Sequence, residues 1–216
     1  MLQPGSLIPP AFYLREPPEV ARALLGCCLW REGVALRITE VEAYGGPEDS
    51  ASHGRHGRTA RNAPMWTEGG RVYMYLCYGI HRMLNIVTGE PGRCGAVLVR
   101  AAEPVAGLER VLGRRRMQEA RPALLAGPGR VAQALDLDLG FSGQALFEAG
   151  GLELREGWPP MRIAAGPRVG VDFASPADRR RRWRFVEAGS PWQSAPSLGG
   201  VPRPRRVRNG DRRPPE

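Results

Sequence analysis

Residues 34–44, V-A-L-R-I-T-E-V-E-A-Y, are the stretch on which the fold depends. The alternation of apolar and polar side chains in this stretch is typical of a β-strand. Three apolar residues share one face: Val34, Leu36 and Ile38. The same parity continues into Glu40, Glu42 and Tyr44, so carboxylates follow on a face that began as apolar. Two explanations are open: this end of the strand opens into a cleft, or a β-bulge returns the carboxylates to solvent.

A β-hairpin is predicted from the segment R-V-Y-M-Y-L-C-Y-G-I-H-R-M-L-N-I-V, residues 71–87. Residues 72–78 read as one strand and 83–87 as its return strand, with Gly79 in the turn. Tyr78 is therefore expected near the hairpin tip. A further strand is predicted at residues 95–100.

The remaining chain alternates helical and strand patterns. Helices are predicted at residues 17–25, 104–117 and 128–135, and short strands at 151–155, 161–164, 168–172 and 183–187. Strands, then helices, then strands again favour one compact α+β domain over a parallel α/β sheet. We expect an extended lead-in at residues 1–16, a folded domain at 17–201 and a disordered basic tail at 202–216.

The charge of the chain indicates a polyanionic partner. All 31 basic residues are arginine, and the net charge is +9. Arginine binds phosphate in a bidentate fork, which suits a nucleic-acid backbone. GC-rich codons explain the replacement of lysine by arginine, but they do not explain the net excess of positive charge.

Several classes of chemistry are disfavoured by what the sequence lacks. Without lysine, only the N-terminal amine is available for an imine. His53 and His56 form an H-x-x-H pair with no third ligand nearby, so we expect no metal and no other cofactor. The sequence shows no signal peptide and no apolar run near 18 residues, so we expect a cytoplasmic protein without a membrane partner.

Three side chains in the central segments, besides Glu42, invite a functional interpretation. An exposed Tyr78 on a basic protein would stack on bases or wedge between base pairs. Asn85 lies between Leu84 and Ile86, so it must find polar partners or line a cavity. Arg100, at a strand end, is a salt-bridge partner for Glu42, a contact compatible with a catalytic role.

Taken in order, seven segments resemble one family, the alkyladenine (3-methyladenine, N-methylpurine) DNA glycosylases. They are E-V-E-A-Y-x-G-P-E-D-x-A-x-H, Y-M-Y-L-C-Y-G, M-L-N, V-L-V-R-A-A-E-P, G-P-G-R-V-A-Q-A-L, P-R-V-G-V and G-S-P-W. The resemblance runs from about Ala21 to Trp192, which is most of the chain. It implies one mixed α+β domain with an antiparallel sheet and a protruding β-hairpin that inserts into DNA.

The resemblance also implies roles for individual residues. Glu42 matches the residue that deprotonates the attacking water, and Arg100, with backbone near Val169, matches the groups that hold this water. Tyr78 matches the residue that intercalates at the position of the flipped nucleotide. The residues that match the base pocket are Tyr44 and His53 on one wall, Tyr75 on the other, and Asn85, which would crowd the 2-amino group of guanine.

The function implied is that of a monofunctional DNA glycosylase of base excision repair. It would hydrolyse the N-glycosidic bond of alkylated or deaminated purines, namely 3-methyladenine, 7-methylguanine, hypoxanthine and ethenoadenine. Base flipping and a glutamate-activated water would be its mechanism. We expect a monomer that acts on damaged double-stranded DNA in a bacterial nucleoid. Two alternatives stay open: a non-catalytic basic nucleic-acid-binding module, and an arginine-rich RNA-associated protein.

Overall fold

The computed structural model describes residues 4–194 and 197–199, and its central strand is β2 (Val34–Tyr44), with the bounds that the alternation predicts. The other strands are β1 (Cys28–Arg31), β3 (Val72–Cys77), β4 (His81–Val87), β5 (Ala96–Ala106), β6 (Glu153–Arg155), β7 (Ile163–Gly166) and β8 (Arg184–Glu187). The helices are α1 (Pro17–Leu24), α2 (Leu108–Arg115), α3 (Pro128–Ala134) and α4 (Pro176–Arg180).

These eight strands form one antiparallel sheet in the order β3-β4-β5-β2-β1-β6, while β8 pairs with β2 and with β7. Helices α1 and α3 pack against strands of this sheet. The prediction of a single α+β domain with an antiparallel sheet is confirmed. Residues 4–16 join the same domain: the Ile8 N–H donates to the Leu154 carbonyl, and Tyr13 is fully buried.

Strand β2 contains a β-bulge, and the bulge determines where the carboxylates point. The register with β5 shifts between Ile38 and Val41, where β2 also exchanges its second neighbour from β1 to β8. Beyond the bulge, Val41 and Ala43 enter the same apolar cluster as Ile38. The predicted bulge is present, but the explanation that it returns the carboxylates to solvent is wrong. Glu40 and Glu42 are both fully buried, because β8 and the following loops cover that face.

The predicted hairpin is confirmed as β3 and β4, which pair from Val72 opposite Ile86 to Cys77 opposite His81. Two later predictions need correction. Residues 168–172 form no strand, because they turn across the end of β2 and hydrogen-bond to its side chains. The helix predicted from residue 104 begins at Leu108, since β5 continues to Ala106 in its pairing with β2.

The predicted tail at residues 202–216 lies outside the described residues. Within the described part of the chain, no helix has the length and apolar character needed to cross a membrane.

Candidate active site

A cavity of about 530 Å³ lies between the β3–β4 hairpin, the end of β2 and residues 169–173. It brings together most of the residues that the sequence singled out: Tyr44, His53, Tyr75, Tyr78, Asn85, Arg100 and Val169. Glu42 lies directly behind this lining, because Tyr44, Arg100 and Val169 all bind its carboxylate. Residues separated by up to 127 positions therefore converge on one carboxylate.

The Glu42 carboxylate is held by three donors. The Val169 N–H donates to Oε1 at 2.7 Å, and the Tyr44 hydroxyl donates to Oε2 at 2.8 Å. Arg100 Nη1 also donates to Oε2, at 3.1 Å. Burial raises the pKa of Glu42 above its ordinary value, while Arg100, Val169 and Tyr44 favour the ionised form. The group is thus a buried carboxylate with a raised proton affinity, as a general base requires.

Arg100 is fixed by a second carboxylate, Glu40. Arg100 Nε donates to Glu40 Oε1 at 2.8 Å, which aims Nη1 of the same guanidinium at Glu42. Burial acts to raise the pKa of Glu40, but Arg100, Arg184 and Ser194 outweigh it and lower that pKa. Arg184 Nε lies 2.8 Å from Glu40, and the Ser194 hydroxyl donates to the same oxygen at 2.7 Å. Glu40 is therefore ionised and anchors the arginine that contacts Glu42.

His53 is a neutral side chain at the cavity wall. Burial, with Arg61 and Arg55 nearby, lowers the pKa of His53 to about 4. Its Nδ1 lies 2.9 Å from the hydroxyl of the buried Tyr73. His56, its H-x-x-H partner, is instead bound by Arg55 Nε at 3.0 Å. Among the described residues, no group of three or more His, Cys, Asp or Glu side chains could hold a metal ion.

Tyr75 and His53 contact each other directly. Their ring centroids are 4.5 Å apart, with an interplanar angle of 72°. A base stacked between two rings requires a separation of roughly 7 Å, so no base fits between these two in this conformation. Tyr44 also lines this cavity.

Asn85 and Tyr78 occupy different depths of the same cavity. Asn85 is buried, and its amide nitrogen donates to the carbonyls of Tyr73 (3.1 Å) and Met83 (3.3 Å). Tyr78 is 91% exposed at the hairpin tip, where its φ of 52° and that of Gly79 (72°) form a tight turn. A non-glycine residue at positive φ is held there by the surrounding structure, which fixes the direction in which Tyr78 projects.

An ion pair that the sequence did not reveal lies behind Tyr44. Arg168 donates to both oxygens of Asp49, at 2.6 and 2.7 Å, and both side chains are fully buried. Arg168 also donates to the Ala43 carbonyl at 2.9 Å, and its Cζ lies 4.8 Å from the centroid of the Tyr44 ring. The motifs E-D-x-A and P-R-V-G-V contain these residues, but no local pattern pairs positions 119 residues apart.

Glu40, Ser194 and Arg184 were also missed as parts of this site. The only sequence feature that pointed to Glu40 was its position two residues before Glu42, on the same face of β2. The bulge preserves this relationship. Ser194 and Arg184 carried no signal, since serine and arginine are common at surfaces and their burial depends on the β2–β8 pairing.

The site thus combines a buried carboxylate, an aromatic cavity and an exposed tyrosine on a basic protein. The family model described as methylpurine-DNA glycosylase matches residues 11–191. The chain therefore belongs to the methylpurine-DNA glycosylase family, whose members are DNA-repair hydrolases of N-glycosyl bonds.

Individual relatives agree with this assignment. A protein of Nitrosococcus oceani, provisionally named a 3-methyladenine DNA glycosylase, is 56% identical over 191 residues, or 88% of this chain and 94% of its own. The DNA-3-methyladenine glycosylase of Arabidopsis thaliana is 48% identical over 191 residues, covering 88% of this chain and 75% of its own. The resemblance to the alkyladenine DNA glycosylases is thereby confirmed.

Proposed function

We propose that this glycosylase flips damaged purines, including 3-methyladenine, 7-methylguanine, hypoxanthine and ethenoadenine, out of duplex DNA into the cavity beside Glu42. The oxygen of a water molecule bonds to C1′ while the bond from C1′ to N9 breaks. This releases the free base and leaves an abasic site. The observation that carries the proposal is the fully buried Glu42, with its three donors, behind an aromatic cavity. A pure binding module has no use for a buried carboxylate there.

Glu42 acts as the general base in this proposal. From the described residues, its Oε1 accepts a single hydrogen bond, so a lone pair of this oxygen is open to a proton from water. Arg100 and the backbone at Val169 border the cavity at the same place and position that water. As the base departs, the positive charge that develops on the sugar is stabilised by the same carboxylate.

Tyr44 and Tyr75 hold the flipped base between their rings. Burial raises the pKa of both phenols, and the nearby Glu42 carboxylate adds to this effect, so the two rings stay neutral. The neutral His53 borders the same space and offers a ring nitrogen without repelling a cationic base. Asn85 lies deeper and would crowd the 2-amino group of guanine, which would bias the cavity against normal guanine.

Tyr78 fills the gap that the flipped nucleotide leaves. Flipping costs a few kcal/mol of stacking and pairing, which an inserted aromatic ring partly restores. The exposed tip is suited to insertion, because Ile80 beside it is also 72% exposed. We further propose that the enzyme works as a monomer in the bacterial cytoplasm, on nucleoid DNA.

A single-turnover excision panel tests the proposed function. Duplexes with each of the four lesions are incubated with excess wild-type protein, with Glu42→Gln and with Glu109→Gln, an exposed glutamate of α2. Glu42→Gln should lose at least about tenfold in rate yet still bind damaged duplex, because the change removes the base and keeps the shape. Glu109→Gln should match wild type. Wild-type protein that binds RNA more tightly than damaged duplex and releases no base would refute the proposal.

A further inference from the structure

The Asp49–Arg168 pair lies behind the Tyr44 wall of the cavity. Arg168 stacks against the Tyr44 ring at 4.8 Å, and Tyr44 itself lines the cavity. Asp49 accepts both guanidinium bonds and also the backbone N–H groups of Gly45 (3.0 Å) and Ala51 (3.1 Å). This guanidinium–carboxylate salt bridge therefore lies one ring away from the cavity.

The charges buried around the cavity balance. Glu42 and Glu40 are matched by Arg100 and Arg184, and Asp49 is matched by Arg168. Water cannot screen these groups, because all six are 8% exposed or less. A change of one charge in this set would act on the ligand with little screening.

We propose that Asp49 is a specificity-determining residue that lets the cavity accept cationic bases by neutralising Arg168 behind Tyr44. The inference depends on the proposed function, because it requires a damaged base stacked on Tyr44. N-alkylated purines carry a positive charge, whereas hypoxanthine and ethenoadenine are neutral. An unbalanced guanidinium behind the wall would repel the first class and leave the second unaffected.

Single changes in the pair should move the charge preference in opposite directions. Asp49→Asn leaves Arg168 unbalanced, so affinity for a cationic base should fall relative to a neutral one. Arg168→Met leaves Asp49 unbalanced, with its two backbone donors, so the relative affinity for the cation should rise. At an effective dielectric constant near 20 and a separation on the order of 10 Å, each change should be about tenfold. The double variant Asp49→Asn/Arg168→Met should return to the wild-type preference.

The experiment uses two bases of the same shape that differ in charge. One duplex carries cationic 7-methyladenine on a 2′-fluoro sugar, which resists cleavage. The other carries neutral 7-methyl-7-deazaadenine at the same position. Dissociation constants for both are measured with the full-length protein at one pH and one salt concentration, and their ratio is the readout. A structural change that weakens binding of both probes equally, such as a displacement of Val169, cancels in this ratio. Glu153→Gln, which breaks an ion pair with Arg155 on the edge strand β6, is the matched control.

Each outcome decides the inference. Opposite shifts in the two single variants, with restoration in the double variant, support it. Equal losses on both probes, with lowered melting temperatures, would show that the pair only holds the fold, and this overturns the inference alone. A wild-type protein that binds neither probe better than undamaged duplex overturns the proposed function as well. A variant too unstable to purify is replaced by Asp49→Ser or Arg168→Gln, which make the same charge change.

Discussion

The Tyr44 hydroxyl donates a 2.8 Å hydrogen bond to the Glu42 carboxylate, two residues earlier on the same strand. Both side chains point away from the apolar face of β2, so the residue that lines the cavity also orients the carboxylate behind it. A base that displaces the Tyr44 ring would therefore change the hydrogen bonding of Glu42. Under the proposed function, capture of the base and the hydrogen bonding of the carboxylate would be linked through this phenol.

Tyr44→Phe should move the acidic limb of the excision rate to higher pH. The ring and its stacking remain, but Glu42 loses a donor that stabilises its ionised form, so its pKa rises further. Because the base must be ionised to accept a proton, activity is lost at a higher pH as the solution is acidified. The groups around Glu42 that stay in place are Arg100, Glu40 and the Val169 N–H.

The measurement is the pH dependence of single-turnover excision for wild type and variant. In wild type, the acidic limb of the rate should already lie at a pH above about 4.3, the ordinary pKa of glutamic acid. Tyr73→Phe is the control, since its hydroxyl binds His53 and not Glu42. A limb that stays at the wild-type pH in Tyr44→Phe would contradict the role of this hydrogen bond.

Tyr78→Asn should weaken binding to a paired lesion by about tenfold or more, with a much smaller effect on an unpaired lesion. Stacking of one ring on bases contributes about 1–3 kcal/mol, and an unpaired base has less stacking to replace. Asparagine tolerates the positive φ at this position, so the turn should persist. Binding to duplex and bulged lesions is the measurement, and Met161→Ala, at another fully exposed apolar residue, is the control. Equal losses on both substrates would assign Tyr78 to the base cavity instead.

The enzyme should release bases without cutting the DNA strand. A lyase needs an amine that forms an imine with the abasic sugar, and the 216 residues contain no lysine. Borohydride trapping on a substrate duplex should give no covalent adduct once the N-terminal amine has been methylated. Reductive methylation is selective here, because no other amine is present in the sequence. An adduct that persists after this treatment would refute the prediction.

Deletion of residues 202–216 should weaken binding to all DNA and leave excision at saturation unchanged. The segment contains six arginines: Arg203, Arg205, Arg206, Arg208, Arg212 and Arg213. Each lost phosphate contact should reduce the slope of log K against log salt by about 0.9. Salt titrations of truncated and full-length protein check this. An unchanged slope would mean that the arginines are merely solvated, and an altered saturated rate would mean that the segment reaches the active site.

Local patterns predicted the elements that carry the site. The alternation in β2 and the Tyr78-Gly79 turn are encoded by neighbours in sequence. Strands β2 and β3 accordingly have nearly the expected bounds. The position of the bulge was not specified locally, because it depends on where β2 leaves β1 and meets β8. The strand predicted at 168–172 is absent for the same reason, because contacts between distant segments decide the structure there. Its apolar alternation is real, but its backbone and Arg168 bind the end of β2 instead of a neighbouring strand.

Contacts between distant segments were the main part of the site that sequence could not reveal. The bonds from Arg168 to Asp49 and from Ser194 to Glu40 span 119 and 154 positions. The Arg100 contact with Glu42 was anticipated, because a strand-end arginine and a strand-end carboxylate were already adjacent candidates. The contact of Arg100 with its second partner, Glu40, was not predicted, because it depends on the bulge.

The bulge in β2 shifts the side-chain alternation between the two halves of this strand. Upstream of it, even-numbered positions face the apolar core, whereas downstream the odd-numbered Val41 and Ala43 do. The extra residue at the bulge is therefore what places the apolar side chains of both halves on one face. If β2 kept its length but paired without the bulge, every side chain beyond Ile38 would exchange faces, with Glu42 moved among hydrocarbon side chains and Ala43 among the arginines. The site thus depends on the bulge as strictly as on the identity of the carboxylate itself.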